Sequence, residues 1–118
     1  MFKAALQKIV DHTEGSIAGL IMGFDGISVE QYVRGGREID INTVGMEFSF
    51  ILSQIRKAAE ILEIGGLSEI SVKAEELTFV IRVLSSEYFL ALALGPEGNF
   101  GKGRYLMRIV GPSLTAEL

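Results

Sequence analysis

The sequence of 118 residues contains no cysteine and only one histidine, His12. Without cysteine there can be no disulfide, thiolate nucleophile, iron–sulfur cluster or cysteine-based zinc site. A single histidine cannot build a multi-histidine metal site, and His12 lies near the predicted end of the first helix, where it suits a capping role. The carboxylates show no paired spacing typical of acid–base chemistry. We therefore predict no catalytic residue, no bound metal and no cofactor.

Positive charge and long apolar runs are also scarce. Lysine and arginine number 11 against 15 aspartates and glutamates, so the net charge is −4. An acidic surface repels the phosphate backbone, which argues against a nucleic-acid partner. No apolar run approaches the roughly 20 residues that span a bilayer, and the N-terminus lacks the pattern of a signal peptide. We expect a cytoplasmic protein without membrane insertion, built as a single domain over residues 1–118.

What is present is an alternation of helix and strand patterns. Apolar residues at helical spacing predict a first helix from Phe2 that ends before Gly15, and period-two patterns predict five strands. Asp40 suits the N-cap of a long helix that ends at Gly65-Gly66, and Asn99 suits the N-cap of a last helix that Pro112 should end or kink. The predicted strands cover residues 16–22, 27–33, 69–74, 77–84 and 88–94. This order predicts an α+β fold in which helices cover a mostly antiparallel sheet.

The long helix is predicted to have two apolar faces. One face should cover the sheet, and it carries Ile41, Val44, Phe48, Ile51, Leu52, Ile55, Ala59 and Leu62. The opposite side carries Met46, Phe50 and Ile61 together with Lys57, and beside it run the small residues Gly45, Ser49 and Ser53. Monomers seldom leave such a patch in water, and small residues permit another helix to approach closely. The second face therefore predicts a partner.

Three segments give the chain a family resemblance. They are the hairpin Gly19-Leu20-Ile21-Met22-Gly23-Phe24-Asp25-Gly26-Ile27, the long helix ending at Gly65-Gly66, and the segment Gly98-Asn99-Phe100-Gly101-Lys102-Gly103-Arg104-Tyr105 that opens the last helix. In order and spacing they resemble the roadblock/LC7 domain family, small bacterial members of which regulate Ras-like GTPases. The resemblance covers almost the whole chain. It implies a roadblock/profilin-like order α-β-β-α-β-β-β-α, with the sheet ordered 2-1-5-4-3 between the helices.

The resemblance also implies a homodimer through the second helix and the third strand. The interface predicted from it and from the helix pattern comprises Gly45, Met46, Ser49, Phe50, Ser53, Lys57, Ile61, Ile70 and Val72. The flanks of the helix remain free for a GTPase, and the candidate contact residues there are Asn42, Glu47, Gln54, Arg56 and Glu60. We expect a non-enzymatic regulator or scaffold of a small Ras-like GTPase.

Two other functions stay open at this point. A small-molecule sensor would need a cavity with several converging polar groups. The last two predicted strands supply only one such group, the side chain of Arg82. A structural adaptor of the dynein light-chain type is also implied by the family.

A glycine-rich segment and two groups of basic residues each have more than one interpretation. Residues 95–103 are rich in glycine but lack the P-loop pattern, since Pro96 and Gly103 occupy positions that need glycine and serine or threonine. The last helix carries Lys102, Arg104 and Arg108, which form either a solvated face or a contact for an acidic surface. Arg34 and Arg37 lie in a connection that we expect to be mobile, and nothing marks either as an arginine supplied to a GTPase.

Overall fold

The computed structural model describes all 118 residues. It contains three helices and five strands in the predicted order. The elements are α1 (Phe2–Asp11), β1 (Ser16–Gly23), β2 (Ser28–Val33), α2 (Ile41–Ile61), β3 (Glu69–Lys73), β4 (Thr78–Val83), β5 (Tyr88–Leu94) and α3 (Phe100–Glu117). The strands form one antiparallel sheet of order β2-β1-β5-β4-β3, which confirms the topology implied by the family resemblance. None of the helices combines the length and the apolar character that a bilayer crossing requires.

The sheet separates two apolar layers. Every residue of β1 is buried, because helices cover both faces of this central strand. On one face α1 and α3 pack through Leu6, Met107 and Leu114 against side chains such as Leu92. On the other face α2 packs through residues such as Leu52, and the Phe48 and Phe79 rings stack with centroids 4.8 Å apart. A sheet buried on both sides explains why β5 is apolar throughout.

The last helix runs farther than its proline suggested. We expected Pro112 to end or kink α3, but the helix continues to Glu117. Leu114 is fully buried, so the final turn is held against the core. The Ser113 and Thr115 hydroxyls donate hydrogen bonds to the carbonyls of Val110 and Gly111, and Thr115 also donates to Leu84. Burial and these bonds offset the amide hydrogen bond that proline cannot make.

The end of α2 differs in detail from the prediction. The residue with positive φ just beyond the helix is Glu63, at φ 54°, and Gly65 lies two residues farther on. The amides of Glu63 and Ile64 donate to the carbonyls of Glu60 and Ala59, the hydrogen-bond pattern of a Schellman motif. A glutamate therefore holds the position that usually favours glycine.

Glu63→Gly is expected to stabilise the chain by about 0.5–1 kcal/mol, because glycine adopts the left-handed conformation without a Cβ penalty. Glu60→Gly is the matched control. It removes the same side chain inside α2, where glycine costs about 1 kcal/mol. Urea denaturation of both variants checks the prediction, and a lower midpoint for Glu63→Gly would contradict it.

The two edges of the sheet differ. The β2 edge carries the Glu30 carboxylate, which accepts a hydrogen bond from the backbone amide of Gln31 at 3.1 Å. The pairing of β2 with β1 also shifts register between Ile21 and Met22. No strand lies beside the outer edge of β3, and no side-chain hydrogen bond occupies its backbone amides. The β3 edge is thus the more open of the two for strand addition.

Candidate functional site

The most prominent surface feature is an apolar face on α2 and the turn that follows it. Phe50 is 75% exposed and Ile61 is 72% exposed. The full set, called here the α2 apolar face, is Met46, Phe50, Ile51, Ile61, Leu62 and Ile64. So many large apolar side chains exposed on one helix and its following turn are typical of an interaction surface.

The structure confirms most of the predicted sheet-facing side of α2, since Ile41, Leu52 and Ala59 are buried, but it corrects the placement of the small residues. Gly45 and Ser49 are buried, and Ser49 is only 4% exposed. A Cβ atom on Gly45 would overlap Leu20 Cδ2 and lie 3.1 Å from the Met22 thioether. These small residues therefore let α2 approach β1 of its own chain and do not face a partner helix. Ile51 and Leu62, predicted to face the sheet, are exposed instead.

The other residues of the predicted interface lie on or beside this surface. Ser53 and Lys57 are exposed on α2. Ile70 and Val72 are half-buried on β3, and Ile70 packs against the core layer beneath α2. The helix end and the chain leading into β3 enclose a shallow apolar cleft of about 430 Å³. The α2 apolar face is thus continuous with the approach to the open β3 edge.

Arg56 does not lie free on the flank of α2. Its guanidinium stacks over the Phe24 ring at 3.9 Å from the centroid and donates to the Ser86 carbonyl at 3.0 Å. It connects α2 to the β1–β2 turn and the β4–β5 turn, and its predicted role as a partner contact stays a prediction. Arg34 is likewise held, since it donates to the carbonyls of Ser16 and Asp11, both at 3.2 Å.

The remaining flank residues differ in exposure. Glu47, Gln54 and Glu60 are exposed. Asn42 is half-buried, and its Oδ1 atom is buried without a hydrogen-bond partner. The three exposed residues are therefore the ones available for contact with another protein.

Another set of polar and charged side chains lies on the face of the sheet that α3 covers, opposite α2. Asn99 caps α3 as predicted, accepting a hydrogen bond from the Lys102 amide at 3.1 Å. Farther along α3, Arg104 and Arg108 meet Arg82 of β4 and Glu69 of β3 around a shallow pocket. Sequence patterns alone missed this arrangement, although Arg82 stood out inside an apolar strand.

No cluster of metal-ligating side chains accompanies these surfaces. No group of three or more histidine, aspartate or glutamate side chains is placed to hold a metal ion. His12 is the C-cap residue of α1, with Nδ1 2.8 Å from the Lys8 carbonyl oxygen.

Comparison with known proteins gives the family. No protein-family model and no curated protein matches the chain. Among solved structures, MglC from Myxococcus xanthus is 45% identical, with 98% of this chain and 97% of that chain covered and a TM-score of 0.71. A roadblock/LC7 domain from Streptomyces avermitilis is 16% identical, with 98% and 95% covered and a TM-score of 0.85. The gliding protein MglB from Thermus thermophilus is 13% identical, with 96% and 84% covered and a TM-score of 0.85. With this fold and this degree of identity, the chain belongs to the roadblock/LC7 domain family.

Proposed function

We propose that the chain is a non-enzymatic, homodimeric regulator or scaffold of a small Ras-like GTPase, acting in the cytoplasm as a single roadblock domain. The observation that carries the proposal is the α2 apolar face beside the open β3 edge, in a member of a family whose small bacterial representatives regulate such GTPases. The similarity to MglC and to the gliding protein MglB supports a regulatory role.

The dimer is proposed to form around the twofold pairing of α2 helices. The interface retains Met46, Phe50, Ser53, Lys57 and Ile61 of α2, with Ile70 and Val72 of β3. The exposed residues Ile51, Leu62 and Ile64 are added to the predicted interface. Gly45 and Ser49 are removed from it because they are buried within the chain. A twofold interface brings the same surface of each copy together, so one apolar patch suffices for both.

The GTPase is proposed to contact the exposed polar residues of α2. Glu47, Gln54 and Glu60 are available there, and Asn42 lies at the helix start. A regulator that senses the nucleotide must touch the switch segments, whose order depends on the γ-phosphate. Binding is therefore expected to favour the GTP-bound form, with a coupling of about 1–3 kcal/mol.

Calorimetry with Ras-like GTPases from the source organism tests this proposal. Each GTPase is loaded with GDP or with a non-hydrolysable GTP analogue. We expect at least about fivefold tighter binding to the triphosphate form, and no GTP hydrolysis by the chain alone. Glu47→Lys/Glu60→Lys should weaken that binding about tenfold or more, since it reverses two charges on α2.

The matched control is Glu75→Lys/Glu76→Lys, which makes the same charge change in the exposed β3–β4 turn. It should bind normally, and both variants should keep the natural dimer mass and melting temperature. Equal affinity for the two nucleotide states would refute the switch dependence. Normal binding by Glu47→Lys/Glu60→Lys would place the contact elsewhere.

A further inference from the structure

The polar pocket on the α3 side of the sheet has an unusual charge balance. Three arginines, Arg82, Arg104 and Arg108, surround one carboxylate, Glu69, in a pocket of about 190 Å³. Glu69 and Arg82 are paired directly across β3 and β4, and α3 brings the other two arginines over them. A chain with net charge −4 thus carries a local excess of positive charge.

Only one of the three arginines is neutralised by that carboxylate. Arg104 makes a two-point contact with Glu69, and its Nε lies 3.0 Å from Oε1. The hydrogen bond from Arg104 lowers the pKa of Glu69, and the charges of Arg82 and Arg108 lower it further. Glu69 is therefore ionised at neutral pH. The Arg82 and Arg108 side chains form no hydrogen bond or ion pair within the chain.

The shape of the pocket indicates what kind of anion it suits. Small-molecule sites enclose their ligand with apolar walls, but this pocket is shallow and Tyr105 is its one apolar lining residue. Tyr105 and Ile109 are about half exposed along the same helix. Arginine and tyrosine beside an exposed apolar side chain are typical of energetically important protein contacts. A guanidinium binds a carboxylate through two parallel hydrogen bonds.

We propose that this pocket binds an acidic segment of a protein partner, with an aspartate or glutamate carboxylate held between Arg82 and Arg108. This surface is separate from the α2 apolar face, because the sheet lies between α2 and α3. One chain can therefore hold a dimer partner on α2 and an acidic partner on α3 together. The inference stands whether or not a GTPase binds α2.

A fluorescent peptide of eight glutamates is the probe, and fluorescence anisotropy at low ionic strength is the measurement. Saturable binding is expected, with an octaglutamine peptide showing none. Arg82→Gln/Arg108→Gln should weaken binding at least about tenfold, since hydrogen bonds between charged groups are the strong ones. Single Arg37→Gln, on an exposed connection outside the pocket, should change affinity less than about twofold.

Glu69→Gln is expected to change the peptide affinity in the opposite direction. It releases Arg104 from its internal carboxylate, so affinity for the octaglutamate peptide should rise severalfold. Glu75→Gln is the control, because it removes one negative charge from the exposed β3–β4 turn without freeing an arginine. Melting curves establish that each variant is folded before it is compared.

Three results would overturn the proposal. The first is absence of saturable peptide binding, and the second is an equal loss of affinity in Arg37→Gln and in Arg82→Gln/Arg108→Gln. The third concerns inorganic phosphate, titrated while the arginine Nε–H resonances are followed by NMR. Phosphate that shifts Arg82 and Arg108 at concentrations where the peptide does not would identify a pocket for small anions.

Discussion

Phe50→Glu is expected to be monomeric at concentrations where the natural chain is dimeric. Phe50 is the most exposed residue of the α2 apolar face, and in the proposed dimer it lies between two α2 helices. Burying an unpaired carboxylate there costs about 3–5 kcal/mol, which corresponds to at least about a hundredfold rise in the dimer dissociation constant. Light scattering coupled to size-exclusion chromatography measures the mass directly.

The control for this variant is Gln7→Glu, which adds the same charge on the exposed side of α1. It should remain dimeric. Hydrogen exchange gives a second reading, since the amides of β3 should lose protection in Phe50→Glu if the open edge pairs across the dimer. A natural chain that is monomeric at tens of micromolar would refute the dimer, and a fully dimeric Phe50→Glu would refute the role of this face.

Gly15→Ala is expected to lower the free energy of unfolding by about 3 kcal/mol and the melting temperature by about 10 °C. Gly15 has φ +78°, and a Cβ there would lie 2.5 Å from Gly98 Cα. The neighbouring backbone is fixed, because the Gly95 amide donates to the Gly15 carbonyl at 2.9 Å and the Asn99 amide donates to Glu14 at 2.7 Å. A main-chain clash therefore adds to the penalty for left-handed alanine.

Two other glycines separate the cost of the left-handed conformation from the cost of the clash with Gly98. Gly36 has φ +79° with open space around it, so Gly36→Ala should cost only about 1 kcal/mol. Gly35 also has open space around it but lacks a positive φ, so Gly35→Ala should be neutral or slightly stabilising. Thermal and urea denaturation rank the three variants. Equal losses in Gly15→Ala and Gly36→Ala would show that the close approach to Gly98 carries no cost.

Local patterns were sufficient to predict the order of elements. The Asp25-Gly26 pair marks the first hairpin, and Asp40 and Asn99 accept the capping hydrogen bonds predicted for them. These signals act within a few residues along the chain. The sheet order, by contrast, came from the family resemblance, because strand pairing depends on residues that are distant in sequence.

The face that α2 buries was predicted less well, for a physical reason. Periodicity assigns large apolar residues to the core, but α2 approaches β1 through Gly45 and Ser49, which are small enough to allow close packing. This rotates the helix so that Ile51 faces outward. The Arg82–Glu69 arrangement was equally hidden, since it depends on the β3–β4 register and on the path of α3.

The unequal edges of the sheet bear on the size of any assembly. Glu30 places a negative charge on the β2 edge and occupies the Gln31 amide, so one donor that an incoming strand would use is already engaged. β3 is the more open edge for strand addition, and in the proposed dimer a twofold contact would use that edge in both copies at once. In that proposed dimer, growth through the sheet would end after two chains, which would disfavour fibres in which every molecule adds to the next.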